Sequence, residues 1–207
     1  MATFNYPNGD RYVGQMVNNK KSGIGAYYYH SGNHYEGQWQ ADFKHGRGIY
    51  YFSNGDMLAG IWENGQLIGN IMYQFANQDQ YEGSINNGNF DGKGIYHFHN
   101  GNSYQGEWKN GQPHGKGTFM YADGGHYEGS WANGQREGKG FLDYGDGNAY
   151  EGEWHNDLRH GKGRQFFANG EQYYGEWKNN MKDGQGTYFY ADQTQVDGHW
   201  LKDRKID

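Results

Sequence analysis

The sequence predicts an all-β protein built as one continuous array of β-hairpins. Three observations predict it: a Tyr-Gly-Trp triplet recurs every 23 residues, alternating segments flank Asn-Gly-type dipeptides, and the glycines are locked to the same period. Composition alone points elsewhere. Leu, Ile, Val and Phe make up only 27 of 207 residues, Gly contributes 37, and mean hydropathy is -1.19, a balance typical of disordered chains. The 20 Tyr, 11 Phe and 7 Trp argue the other way, because disordered chains are poor in aromatics.

Setting Tyr12 as repeat position 0, the series runs Tyr12, Tyr35, Leu58, Tyr81, Tyr104, Tyr127, Tyr150, Tyr173 and Val196 without insertion or deletion. Position 2 is always glycine. Position 4 holds all seven tryptophans, Trp39, Trp62, Trp108, Trp131, Trp154, Trp177 and Trp200, with Met16 and Ile85 in the two remaining units. Position 17 is aromatic every time, from Tyr6 to Tyr190, and positions 2, 7, 11, 13 and 20 account for 35 of the 37 glycines. A low-complexity Gly-rich tract does not produce such phase-locking.

Each unit reads as two strands. The first alternates with period two, as in Tyr150-Glu-Gly-Glu-Trp154. Positions 6 and 7 then carry Asn-Asn, Ala-Asp, Asn-Gly or Asn-Asp, residues that tolerate the positive φ of a two-residue hairpin turn. A second alternating strand follows, such as Gly115–Tyr121, and ends in a turn such as Ala122-Asp-Gly-Gly. That turn places position 1 opposite position 12, where Glu36/Arg47, Glu82/Lys93, Glu128/Lys139 and Glu151/Lys162 are expected to pair. Joining position 17 to the next position 0 sets the glycine of position 13 against the next tryptophan. Positions 0, 2, 4, 9, 11, 13, 15 and 17 then share one aromatic face with rings lying across glycine, and the Glu/Lys face is solvated.

Tyr-Glu-Gly-Glu-Trp followed by Asn-Gly, Gly-Lys-Gly and an aromatic pair, clearest at 104–123 and 150–168, resembles the MORN (membrane occupation and recognition nexus) repeat. The resemblance spans 1–207 as a half repeat at 2–11, full repeats starting at 12, 35, 58, 81, 104, 127, 150 and 173, and a partial repeat at 196–207. It implies an elongated, single-layer antiparallel sheet, twisted or half-pipe shaped, with a grooved aromatic face. About 18 strands at ~4.8 Å would make a rod about 80 Å long. Repeat three departs most, with Leu58, Ile71 and Gln78 at consensus Tyr and Gly positions.

The composition excludes several classes. There is no cysteine for a disulfide, thiolate metal site or nucleophile. No apolar run approaches the ~18 residues that span a bilayer. The first residues lack the basic and apolar regions of a secretory signal, so a cytoplasmic location is expected. A net charge of -6 argues against nucleic acid as a partner. The repeats leave no room for an appended enzyme, and no catalytic, metal or cofactor residue is expected. The segment 111–117 is one residue short of a phosphate-binding loop and lacks the Ser/Thr after its lysine. His45, His114 and His160 share position 10 but lie about 29 and 19 Å apart by strand spacing, too far for one ligand sphere. Basic residues at position 12, with Lys21, Lys44, Arg136, Arg159 and Lys182 at position 9, raise a phosphoinositide reading, which opposing glutamates weaken.

The remaining expectation is a non-enzymatic scaffold that holds partner proteins of a multi-subunit assembly. Its groove would be lined by the seven tryptophans, and its specificity would reside in Ile61, Leu67, Ile68, Ile71, Met72, Ile85 and Phe90, where repeats three and four turn apolar. The sheet ends offer edges for end-to-end or homo-oligomer contacts. Chains made almost wholly of such repeats resemble radial spoke head proteins, which implies a cytoskeletal setting in the axoneme of cilia or flagella. Alternatives are an adaptor for a myosin-tail-like helix, a membrane tether and an accessory subunit of a separate enzyme.

Overall fold

The computed structural model describes residues 1–207 as strands and turns without a helix, and so without one long and apolar enough to cross a membrane. It contains two compact units, residues 1–99 and 100–207. Unit one carries β1 (Ala2–Asn5), β2 (Arg11–Val17), β3 (Lys20–Tyr28), β4 (His34–Gln40), β5 (Phe43–Tyr51), β6 (Met57–Glu63), β7 (Gln66–Gln74), β8 (Gln80–Asn86) and β9 (Asn89–His97). Unit two carries β10 (Ser103–Lys109), β11 (Gln112–Met120), β12 (His126–Ala132), β13 (Gln135–Asp143), β14 (Ala149–His155), β15 (Leu158–Phe166), β16 (Gln172–Lys178), β17 (Met181–Phe189), β18 (Gln195–Leu201) and the short β19 (Arg204–Lys205). Within each unit every strand pairs antiparallel with its sequence neighbours, so the all-β hairpin fold expected from the period is what forms.

The hairpin turns are where the sequence places them. Asn18 and Asn19 (φ 50° and 60°), and Asn64 and Gly65 (φ 49° and 83°), take the paired left-handed conformation of a tight hairpin turn. Past the turn the expected register is wrong by two residues. In β4–β5, Trp39 faces Lys44 and Gln38 faces His45 as expected, but Gly37 then faces Gly48 and Glu36 faces Ile49. Gly46 and Arg47 form a bulge between them. Gly46 has φ 58°, which an L side chain adopts at a cost, so glycine belongs there. The expected Glu36/Arg47 pairing is therefore diagonal across the bulge, and none of the four expected Glu/Lys or Glu/Arg couples forms an ion pair. The connection between repeats shifts by the same two residues: position 15 faces the next position 0, as Tyr27 faces Tyr35, and the glycine of position 13 faces the next glycine of position 2 rather than the tryptophan.

The two shifts align glycine with glycine down the ladder, and the tyrosines use that bare strip. Tyr12 folds back along its own strand over Gly14 and Gly25, and its hydroxyl donates to the Gln15 carbonyl at 2.8 Å. The same packing recurs at Tyr35, Tyr81, Tyr104, Tyr127, Tyr150 and Tyr173, all 0–1% exposed. Trp39 stands edge-on between two of these rings, meeting Tyr12 and Tyr35 at 5.6 and 5.2 Å with interplanar angles of 81° and 90°. Trp131, Trp154 and Trp177 do the same, whereas Trp62 and Trp200 meet one, Tyr35 and Tyr173, because Leu58 and Val196 hold position 0 of their repeats. The Trp39 indole N–H donates to the Gly25 carbonyl at 3.0 Å. The core is thus a layer of rings lying on the strands themselves.

Repeat three is built differently on this face. Leu58 replaces the tyrosine, and Ile71, only 2% exposed, replaces the glycine beneath it. The space over Gly60 is filled by Leu67 and Ile71 instead of a ring. The β7–β8 ladder is correspondingly shorter and begins at Asn70–Ser84 rather than one pair earlier.

Candidate interaction surface

Packing corrects the expectation of a tryptophan-lined groove. The seven tryptophans are 3–8% exposed, packed edge-on against two buried tyrosines at Trp39, Trp131, Trp154 and Trp177 and against one at Trp62 and Trp200. On the aromatic face the rings that reach solvent are chiefly those of positions 15 and 17, which the alternation carries beyond the buried tyrosine. In unit one they form an unbroken half-buried stripe: Tyr6, Tyr27, Tyr29, Tyr50, Phe52, Tyr73, Phe75, Tyr96 and Phe98, each ring centroid 4.5–5.9 Å from the next. In unit two Leu142 and Gln165 occupy position 15 and break the row, leaving Phe119–Tyr121 and Phe167–Tyr188–Tyr190 as separate groups.

Position 21 anchors the stripe from the preceding repeat. Asp10 accepts the Tyr27 hydroxyl at 2.7 Å and the His30 backbone N–H at 2.8 Å. Asp56 does the same for Tyr73 and Ala76, and Asp79 for Tyr96 and His99. The His30 N–H and then the Tyr27 hydroxyl hold the Asp10 carboxyl down at about 2. Burial pushes Asp79 up, but the N–H and imidazole of His99 with Tyr96 and Asn77 bring it to about 2 as well. Asn33 occupies this place once in the stripe. Its Oδ1 accepts the Ser53 N–H at 2.8 Å, which orients its Nδ2 to donate to the Tyr50 hydroxyl at 3.2 Å. The sequence reading missed these acceptors, although Asp10, Asn33, Asp56, Asp79, Asn102 and Asn148 recur in phase.

Position 9 faces the tryptophan across the hairpin, and its long cations lie over rings. Lys44 Nζ sits 4.5 Å from the Tyr50 centroid, 4.7 Å from Trp62, 5.1 Å from Tyr35 and 5.6 Å from Tyr29. Burial, then the neighbouring Lys21 ammonium, pull its pKa down to about 8. Lys21 is caged likewise by Tyr27 and Trp39, Arg136 lies over Trp154, Arg159 over Trp177, and Lys182 over Trp200. Position 12 lies on the opposite face, so the two basic rows do not combine into one anionic-lipid surface.

The residues expected to carry specificity do not form one site. Ile71 is core and cannot meet a partner. Leu67 packs on the aromatic cluster, and Phe90 stacks on Tyr81 at 3.6 Å and faces Ile85. Ile61, Ile68 and Met72, 40%, 41% and 53% exposed, lie on the opposite face. There Ile61 faces Ile68, and Met72 faces Ala59, which also faces Ile49, so these side chains adjoin as an apolar patch. His45, His114 and His160 face Gln38, Glu107 and Glu153 beside the turns, and no group of three His, Asp or Glu side chains is placed to hold a metal.

A chain of hairpins that recur with one 23-residue period is a tandem-repeat protein. The protein-family model for the MORN repeat matches residues 12–34, 35–57, 81–103, 104–126, 127–149, 150–172 and 173–195. The chain belongs to the MORN-repeat family; the match passes over repeat three, where Leu58 and Ile71 replace Tyr and Gly. No curated protein matches the sequence. Among solved structures the chain is similar to the wild-type TCP10 domain of Danio rerio CPAP, at 14% identity and TM-score 0.54, over 94% of this chain and 91% of that one. It is also similar to the SAS-4 (dCPAP) TCP domain of Drosophila melanogaster, solved with a proline-rich motif of dSTIL, at 12% identity and TM-score 0.48 over 75% and 85%. The first of these likenesses extends to the fold alone.

Proposed function

We propose that this chain is a non-enzymatic scaffold that holds partner proteins in a cytoskeletal assembly, and that the outer face of repeat three is a docking point. One observation carries the docking point. In the ordinary repeat, the side chain at position 3 accepts the backbone N–H freed by the bulge: Gln15 from Ile24 at 2.8 Å, Gln38 from Arg47 at 2.7 Å, Glu107 from Lys116 at 3.0 Å. Repeats four and six carry Ser84 and Ser130 here, and Ser84 donates to the Asp91 carbonyl instead. Only repeat three places an apolar side chain at this position, Ile61, which faces Ile68 and is left 40% exposed. An apolar side chain left two-fifths exposed where every other repeat is polar is what a partner surface costs the fold. Ile68 and Met72 extend the same exposed patch.

The setting we propose is the axoneme of cilia or flagella, as part of a radial spoke head. Its support is the resemblance of all-repeat chains to that group. Affinity capture of the tagged chain from axonemal extract tests both levels. Spoke components should co-purify with the parent and be lost with Ile61→Gln, Ile68→Gln and Met72→Gln combined. Retention of the same partners by the triple variant would remove the docking point; recovery of partners from outside the axoneme would remove the setting.

A further inference from the structure

The stripe of unit one has its own period. One repeat is two strands, about 9.6 Å at ordinary strand spacing. The rings zigzag along it, 4.8 Å from Tyr27 to Tyr29 and 5.8 Å from Tyr29 to Tyr50, then 4.8 and 5.9 Å through Phe52 to Tyr73. A polyproline II helix has three residues per turn and rises ~3.1 Å per residue, so it repeats every ~9.3 Å. Laid across the strands, it would present the same side of every third residue to each repeat, drifting only about 1 Å over three repeats. An α-helix covers ~9.6 Å in about 6.4 residues, between turns, and a heptad of ~10.5 Å slips by about 1 Å per repeat. The spacing therefore favours a proline-rich segment, which also binds at little ordering cost because it is already extended.

Charge narrows the choice further. The hydroxyls of Tyr27, Tyr73 and Tyr96 each donate to an aspartate and have no proton left to offer. Tyr50 differs, because its oxygen accepts from Asn33 and its own O–H remains free to donate. The ammonium of Lys44 lies 4.5 Å from the same ring and forms no ion pair within the protein. A free hydroxyl donor and an uncompensated, half-buried cation at one repeat call for a carboxylate. The aspartates at the repeats on either side disfavour one there.

We propose that the aromatic stripe of unit one docks a proline-rich segment in the polyproline II conformation, with one acidic side chain received by Lys44 and Tyr50. The stripe and the repeat-three patch lie on opposite faces, so this proposal stands apart from the docking point above. The probe is a fluorescein-labelled peptide of about four Pro-Pro-x triads, the length that spans the stripe, with one central x as Glu, Gln or Lys. A Gly-Gly-Glu version and an amphipathic helical peptide complete the set. Fluorescence anisotropy with the full chain should show the Glu peptide binding at least about tenfold more tightly than any other, a gap expected of one charge-assisted contact. Lys44→Met and Asn33→Asp should each erase the preference for Glu over Gln while keeping the circular dichroism spectrum and a cooperative melt. Asp already serves at the equivalent position in the neighbouring repeats, so Asn33→Asp should fold. Equal affinity for the Glu and Gln peptides, equal affinity for the glycine version, tighter binding of the helical peptide, or a preference that survives both substitutions would overturn the proposal.

Discussion

The glycine of position 13 should be required for the tyrosine above it and for nothing else. A Cβ built on Gly163 would lie 2.5 Å from Cζ and 2.6 Å from Cε2 of Tyr150, where ordinary contact begins near 3.4 Å. Gly163→Ala must therefore move the ring by about 1 Å. That ring is fully buried, donates its hydroxyl to the Glu153 carbonyl at 3.1 Å, and stands 5.2 and 5.3 Å from Trp154 and Trp177. Overpacking at about 1–3 kcal/mol plus a weakened hydrogen bond of about 1 kcal/mol gives an expected loss of about 2–4 kcal/mol. Tyr150→Leu alone should cost a similar amount, because it opens a cavity over Gly152 and Gly163. Repeat three shows the resolution, with Leu58 at the tyrosine position and Ile71 at the glycine position. Gly163→Ile alone should be worse than Gly163→Ala, yet Tyr150→Leu combined with Gly163→Ile should be less damaging than the sum by at least about 1.5 kcal/mol. Urea unfolding followed by tryptophan fluorescence measures the cycle. A Gly163→Ala variant within about 0.5 kcal/mol of the parent, or an additive double variant, would refute the reasoning.

Three further outcomes follow from the same packing. Burial raises the folded-state pKa of Tyr35, Tyr81 and Tyr173 from 10 to about 12, so their contribution is complete below pH 10 and lost as pH rises toward 12; alkaline titration by circular dichroism should show unfolding in that window. Asp10 and Asp79 are depressed to about 2, so the stability they contribute is present above the ordinary carboxylate pKa near 4 and lost as pH falls toward 2; Asp79→Asn should flatten the acid limb of a melting-temperature profile. Ile61→Gln should restore the missing bulge acceptor and raise stability by about 0.5–1.5 kcal/mol in urea, and an unchanged or lower midpoint would mean that position 3 does not cap the bulge.

The fold was legible in the sequence to the extent that it depends on period and turn chemistry. Asn-Gly and its relatives located the hairpin turns of the eight full repeats, though not the Lys202-Asp203 turn before β19, and alternation located the strands. The bulge was not legible from alternation, because an insertion of two residues preserves which side chains share a face while changing which residues are opposite. The glycines at positions 11 and 13 held the missing information for two different reasons, a left-handed backbone at Gly46 and a ring overhead at Gly48. The correlated charges at positions 1 and 12 suggested a direct pairing that the bulge turns into a diagonal one. For the surface, the tryptophans drew attention by size, but size is what makes them core. The half-buried stripe and its Asp/Asn anchors depend on the distance between successive repeats, which the one-dimensional pattern does not carry until the register is known.

Repeat three separates two kinds of departure that the sequence presents as one apolar cluster. On the aromatic face the changes are reciprocal: a tyrosine is lost at Leu58, a glycine is filled at Ile71, and Leu67 occupies the space above Gly60, so the layer stays closed. Substitutions that compensate one another are explained by packing and need no partner. On the other face, Ile61 removes a hydrogen-bond acceptor, Ile68 stands where other repeats carry Ser, His, Asp or Glu, and both remain about two-fifths exposed. The cross-strand contact of Ile61 with Ile68 offsets those losses only in part, since both stay exposed. The test of function in an array of this kind is therefore the incomplete compensation rather than the departure from consensus, and it selects Ile61 and Ile68 while releasing Ile71. The same test applied to the aromatic stripe selects Lys44 and Tyr50, where a cation and a hydroxyl proton lack the carboxylate that the neighbouring repeats supply.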